Sequence, residues 1–188
     1  MIKEKKNLII FISILLIGIF MLFVIMQKKE TAVCENGMMT NVNSKDIQKN
    51  YGVDVAFIED AVADIADSVS NGQFEISFTK KDCSSDAWAA LSGTYSFYVN
   101  EKHALLHLIV NKVNERHGYE LEQLTSAKTV QLGKIEAKLQ TENTLGILQF
   151  QKDGYAFQII LPKDIMHRFI ATVKYATVKR WGMGYEKL

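Results

Sequence analysis

Residues 145–161 read LGILQFQKDGYAFQIIL, two alternating segments on either side of Asp153-Gly154. Asp-Gly is a favoured two-residue hairpin turn, because both central positions of that turn need a positive φ that Gly, Asn and Asp tolerate best. Folding about it sets Phe150 opposite Phe157, Leu148 opposite Ile159 and Lys152 opposite Tyr155, while Gln149 faces Gln158 and Gln151 faces Ala156 on the other side. One side of the hairpin is thus predicted to be core and the other wet. Upstream, Ile135, Ala137 and Leu139 alternate with Lys134, Glu136 and Lys138, and Gly133 turns that strand back from Thr129–Leu132, so an antiparallel meander runs from about Lys128 to Leu161. Pro162 then stands where a helix start accepts it. Ile165, Phe169, Ile170 and Val173 supply the apolar face of a closing helix, to about Thr177, that covers the sheet.

Working back from the meander, Gln73–Thr79 alternates Phe74, Ile76 and Phe78 with Glu75, Ser77 and Thr79, the pattern of a strand with one wet face. Ser85 or Asp86 caps a single helical turn through Leu91, stopped by Gly93. Strand character returns over Thr94–Val99, and Asn100-Glu101-Lys102 turns the chain into a strand reaching Val110, with helix or loop after it. The same residues, from His103 to Gly118, also admit one continuous helix. Val55, Ile58, Val62, Ile65 and Val69 recur three and four apart, one stripe of a helix that starts near Ser44 or Asp46 and ends at Asn71-Gly72. Asp60, Asp64 and Asp67 fall on another face of it, the solvated one.

At the other end of the chain, Leu8–Met26 is nineteen residues without a charge, fifteen of them Leu, Ile, Phe or Val. As a helix it would span roughly 28 Å, close to the ~30 Å hydrocarbon thickness of a bilayer. The expectation is an uncleaved single-pass anchor in contact with membrane lipid through residues 8–26, along Leu8, Ile12, Leu16, Phe20 and Met26. Lys3, Lys5 and Lys6 precede it and Lys28 and Lys29 follow, which places the C-terminal part outside the cytoplasm by a narrow margin. The expected layout is a cytoplasmic tail over 1–7, the anchor over 8–26, a polar stalk over 27–45, one extracytoplasmic domain over 46–178 and a tail over 179–188. The expected fold class is α+β: an N-terminal transmembrane helix followed by an antiparallel sheet packed by an N-terminal and a C-terminal helix.

Setting aside Lys3, Lys5, Lys6, Lys28 and Lys29 with Glu4 and Glu30 leaves 17 basic and 19 acidic residues, a net charge near −2. A nucleic-acid partner is excluded on that ground, since phosphate recognition demands a clustered basic face. Cys34 and Cys83 are either a bridge closing a long loop in an oxidising compartment or two unrelated thiols. Their spacing forms no Cys-x-x-Cys motif. Chemistry is sparse elsewhere. His103 and His107 would chelate on a helix but lie about 13 Å apart on a strand, and no glutamate completes a metalloprotease signature. Ser126 and Lys128 lack any supporting context for a hydrolase. No phosphate-cradling Gly loop or nucleophile elbow is present. The reading is therefore non-enzymatic, with no cofactor and no metal.

Two aromatic groups form a candidate patch for a protein partner: Tyr95, Phe97 and Tyr98 in the middle of the chain, and Tyr175, Trp181 and Tyr185 near its end. The run Val130–Leu139, then Leu148-Gln149-Phe150, Asp153-Gly154-Tyr155 and the closing helix, resembles an uncharacterised extracytoplasmic domain. That domain follows the membrane span in Gram-positive anti-sigma factors and sporulation-related anchored proteins. The likeness covers about Thr94–Thr177 and departs at Phe150, where a tryptophan is common. What it implies is a docking or sensing module; seven residues before the apolar run are too few to hold a sigma factor. The functional expectation is an anchored binding or assembly component, regulatory or sensing in kind. The alternatives are an assembly subunit of a type IV secretion-like system and, from another class, an anchored hydrolase.

Overall fold

The computed structural model describes residues 32–69, 72–113 and 118–182, with side chains as far as Val173. The strands are β1 (Val33–Glu35), β2 (Met38–Val42), β3 (Ser68–Val69), β4 (Gln73–Phe78), β5 (Trp88–Val99), β6 (Lys102–Lys112), β7 (Lys128–Leu132), β8 (Ile135–Glu142), β9 (Leu145–Lys152) and β10 (Tyr155–Pro162). The helices are α1 (Ser44–Tyr51), α2 (Ala56–Ile65) and α3 (Lys163–Gly182). All ten strands belong to one sheet in the order β1-β2-β4-β5-β6-β10-β9-β8-β7, with β3 paired to the far end of β5. Every pairing is antiparallel.

The hairpin about Asp153 (φ 52°) and Gly154 (φ 83°) has the register that its turn dictates, with Phe157 facing Phe150 and Ile159 facing Leu148. Those two phenylalanines stack at 4.9 Å between centroids, and Phe57 of α2 meets both edge-on at 6.3 and 6.0 Å. Edge-to-face contact suits the ring quadrupoles and fixes how α2 lies on the sheet. Ile165, Met166, Phe169 and Val173 bury the inner side of α3 against the same face, and α3 packs on α2. One step further along β10 on the same face, Trp88 packs against Tyr51, Tyr155 and the Lys112 ammonium, the last 4.7 Å from its ring. Gly93 is required where it is: a Cβ there would lie 2.5 Å from the Phe74 ring.

Several expectations need correcting. The body is mostly one ten-stranded antiparallel sheet with a few helices, not the α+β arrangement of a sheet packed by a single N-terminal and a single C-terminal helix. Among the described residues no helix is long and apolar enough to cross a membrane, so the membrane, single-pass and signal-anchor reading finds no support in them. The residues assigned to the anchor, Leu8, Ile12, Leu16, Phe20 and Met26, lie outside the described residues. Charge-free length measures how strongly a segment avoids water and does not by itself name what shields it. The polar stretch read as a stalk is folded: β1 and β2 form a hairpin about Asn36 (φ 51°) and Gly37 (φ 80°), and the compact unit begins at Ala32 instead of residue 46. These strands show little apolar period because β1 has only three residues, all exposed, and the register of β2 against β4 shifts between Met39 and Val42, so its inward residues Met39 and Val42 are not two apart.

The single N-terminal helix is two. Asn43 caps α1 through its Oδ1, which accepts from the Asp46 N–H at 2.9 Å, and Gly52 (φ 72°) ends it after two turns. The stripe from Val55 onward holds for α2 but stops at Ile65, and Val69 pairs as strand with Phe97. The turn at Ser85 is a 3-10 turn only to Ala87, and Trp88–Leu91 is already strand. Its apolar residues are continuous because both faces of β5 are covered there, a pattern that periodicity alone does not separate from helix. The last helix runs through Gly182, beyond the expected end near Thr177 and into the segment assigned as a tail.

Cys34 and Cys83 are bonded, their Cα atoms 6.2 Å apart across a sequence separation of 49. The bridge ties the three-residue edge strand β1 to the loop after β4. Replacing both cysteines by serine is expected to lower stability by about 2–4 kcal/mol, the range for a loop of this length; an unchanged denaturant midpoint would refute a stabilising clip. Burial pushes the Tyr95 hydroxyl well above the ordinary tyrosine range, and the nearby Glu59 charge adds to it. The unfolded chain releases this proton near pH 10 while the native state keeps it, so the associated stability is present below about pH 10 and is lost as pH rises beyond it. Tyr95→Phe should therefore resist alkaline unfolding to higher pH than the parent chain. Ultraviolet absorbance showing Tyr95 ionised near pH 10 in the folded state would contradict this.

Candidate functional site

The order of strands imposes a problem on the backbone. β6 lies beside β10, yet the chain leaving β6 must reach β7 at the far edge, passing β10, β9 and β8. Four inter-strand steps make about 19 Å. With the helices on the core face, the connection takes the outer face, the one carrying Gln149, Gln158 and the alternate residues of β5 and β6.

A chain lying on a sheet face finds no ladder partners, because the sheet's own N–H and C=O groups are already spent on each other. Here side-chain amides take their place. Asn111 on β6 grips Tyr119 twice: its Nδ2 donates to the Tyr119 carbonyl at 2.7 Å and its Oδ1 accepts the Tyr119 N–H at 3.0 Å. Gln158 Oε1 accepts the Glu122 N–H at 2.8 Å, and Gln149 Nε2 donates to the Glu122 carbonyl and to Gln158 Oε1, both at 2.7 Å. Gln140 Oε1 on β8 accepts the Ser126 N–H at 2.9 Å. Residues 118–127 thus form an extended strap held by four carboxamides, and Gln158 and Gln140 are left 1% and 3% exposed beneath it. Tyr119 closes one end, its hydroxyl buried; that burial, with the Glu75 charge, raises its pKa.

Beyond the strap the outer face is bare and becomes apolar. Tyr98, Leu105 and Leu145 are 46%, 42% and 47% exposed. Register sets His107 beside Ile160 and Ile160 beside Ile147, and Leu145 beside Pro162, so the strip continues across β6, β10 and β9. His103 and His107 edge it. Ser96 Oγ lies 2.7 Å from His103 Nε2, Thr94 Oγ1 lies 3.4 Å from His107 Nδ1, and the Tyr98 ring rests 5.3 Å from that of His103.

The residues singled out in the sequence fare differently. Tyr95 and Phe97 are core, 1% and 0% exposed, and do not belong to a partner patch; Tyr98 alone of that trio is on the surface. Strand alternation alone separates them, since Tyr95 and Phe97 point one way and Tyr98 the other. The side chains of Tyr175 and Trp181, and Tyr185 altogether, lie outside the described residues, as does His117. His103 and His107 share a strand face, each beside a hydroxyl, and no group of three potential metal ligands occurs among the described residues. Ser126 is on the strap and Lys128 on β7, both exposed, with no cleft drawn around them. His167 is exposed on α3. Asn111, Gln140, Gln149 and Gln158 as a set were not visible beforehand; the one signal was a glutamine pair, 149 and 158, in register on a face expected to be wet.

Comparisons with family models, curated proteins and solved structures find no match to this chain. The geometry itself makes a prediction. Gln158→Leu keeps the volume but leaves the Glu122 N–H without its acceptor and takes one of two acceptors from the Gln149 amide, which should cost about 1–3 kcal/mol. The Glu122 amide should then exchange faster with solvent while the Phe150 and Phe157 amides keep their protection. Unaltered exchange at Glu122 would show that the strap does not depend on the carboxamides.

Proposed function

We propose that this protein is a non-catalytic binding module, working in an oxidising compartment outside the cytoplasm, whose outer sheet face receives a protein partner. The observation that carries this reading is the strip of Tyr98, Leu105 and Leu145, large side chains left in water on the outer face to one side of the strap. Isolated exposed apolar residues are ordinary; a strip running on through Ile147 and Ile160 across adjacent strands is the usual mark of an interaction surface. Tyrosine and histidine at its margin suit a contact that has to be stable both wet and dry. The Cys34–Cys83 bond supports the compartment, since such bonds form and persist where thiols are not kept reduced. The docking or sensing role implied by the resemblance of the second half of the chain agrees with a surface of this kind.

The test is site-directed photocrosslinking in cells that express the full chain. A crosslinking residue at Leu105 should capture a discrete protein partner, whereas the same residue at Asp164 on α3 should not. Leu105→Asp should weaken the recovered complex at least about tenfold, as for a central contact. The melting temperature should move little, because the residue is already half in water. Equal capture from both positions, or a complex that tolerates Leu105→Asp, would remove the strip from consideration.

A further inference from the structure

The outermost strand of the sheet is held by little besides a covalent bond. β1 is three residues long, all exposed, and its ladder is confined to β2, with Val33 facing Thr40, Cys34 facing Met39 and Glu35 facing Met38. A pairing of that length is marginal in water on its own. What fastens it is the bond from Cys34 to Cys83, and the two ends of that bond are unlike. Cys34 is exposed on the edge strand, whereas Cys83 is 8% exposed and packed in the hydrophobic core.

The loop that carries Cys83 keeps its shape by other means. Thr79 closes its neck, its N–H and its Oγ1 hydroxyl both donating to the Ala87 carbonyl, at 2.8 and 3.0 Å. Inside the neck the Ala87 N–H donates to the Ser84 carbonyl at 2.9 Å, and the Ser84 N–H to Asp82 Oδ1 at 3.3 Å. On the other side, the Gly37 carbonyl accepts the Phe78 N–H at 2.8 Å, which fixes the turn between β1 and β2 to β4, and β2 is itself laddered to β4. Without the disulfide, the loop, the turn and β2 each retain a hold of their own. β1 retains only its three-residue ladder.

We infer that the Cys34–Cys83 bond is a reducible latch, opened by a dithiol protein to release β1 about the Asn36-Gly37 turn and make β2 the free edge of the sheet. One thiolate of the dithiol attacks Cys34 Sγ, the sulfur of the exposed residue. The Cys34–Cys83 bond breaks, and Cys83 leaves as a thiolate that takes up a proton. The second thiol of the reductant then attacks its partner sulfur in the mixed disulfide and releases Cys34. The chain gains two electrons and two protons, and the reductant becomes a disulfide. Exposed disulfides belong to the labile class. In a compartment where thiols are not kept reduced, the latch stays shut until such a reductant reaches it. The freed edge presents backbone groups of Met38–Val42 to which another strand can add. With β2, β4 and β5 between β1 and β6, this device is separate from the Tyr98–Leu105–Leu145 strip.

The test treats the full-length protein with dithiothreitol in the absence of denaturant, follows amide hydrogen exchange by mass spectrometry and pulses the product with iodoacetamide. Reduction should speed exchange over residues 33–42 by at least about tenfold more than over β5 and β6. The Cys34 thiol should alkylate at least about tenfold faster than the Cys83 thiol, which stays packed. Cys34→Ser, which keeps the buried thiol, should show the faster exchange over 33–42 with no reductant present. Oxidised and reduced protein exchanging alike over 33–42 would overturn the inference. So would a loss of protection shared equally by β5 and β6, the mark of a staple whose removal loosens the whole body. A bond that yields to dithiothreitol only in denaturant would overturn it as well. Leu105→Asp should leave all these responses unchanged, so failure of the strip and failure of the latch are read separately.

Discussion

A connection that must cross the face of its own sheet has to bring partners for its backbone, and that constraint shapes this molecule more than any other. β6 and β7 are separated by three strands inserted later in the chain, so residues 118–127 travel over a surface whose main-chain groups are already paired. Unpaired, each buried N–H or C=O would cost about 1–3 kcal/mol. Asn111, Gln140, Gln149 and Gln158 remove that penalty at Tyr119, Glu122 and Ser126. The strap in turn hides Gln158 and Gln140, which is why two glutamines are found among the most buried side chains of the sheet.

The two faces of the sheet consequently serve different ends. The core face is closed by α2 and α3 over the stacked Phe150–Phe157 pair, and its side chains meet few alternatives. The outer face carries an apolar strip on one side of the strap and a groove of mixed polar and apolar lining on the other, both open. The proposed binding role rests on that division. The helices and the disulfide hold the frame, and a surface carrying amides, imidazoles and exposed aliphatic groups remains for something else to touch.

The edges of so long a sheet are a hazard, because unpaired strand edges invite further strands. One edge strand, β1, has only three residues, and the Cys34–Cys83 bond fastens it to the loop beyond β4. The other, β7, alternates exposed Lys128, Thr129 and Gln131 with partly buried Val130, so its edge is presented among polar side chains. Positive φ values at Asn36, Gly37, Asn100, Glu101, Asp153 and Gly154 mark the tight turns by which successive strands reverse.

What the sequence by itself determined is the local half of this account. The Asp153-Gly154 turn and the two-residue alternation on either side specify a hairpin and its register, because a shift of one position would turn Phe150 and Phe157 to water. The stripe of Ile165, Phe169 and Val173 specifies the covering side of α3 for the same reason at a helical period. Only the tertiary structure decided the rest: the hairpin of β1 and β2, one strand too short and the other too irregular in register to show an apolar period; the break at Gly52; and the burial of Tyr95 against the exposure of Tyr98. The carboxamide cradle was beyond reach for a deeper reason. Its four residues come from β6, β8, β9 and β10 and act on a segment outside the strand ladders at separations of 8, 14, 27 and 36 residues, and hydrogen bonds at such unequal spacings leave no periodic trace to read.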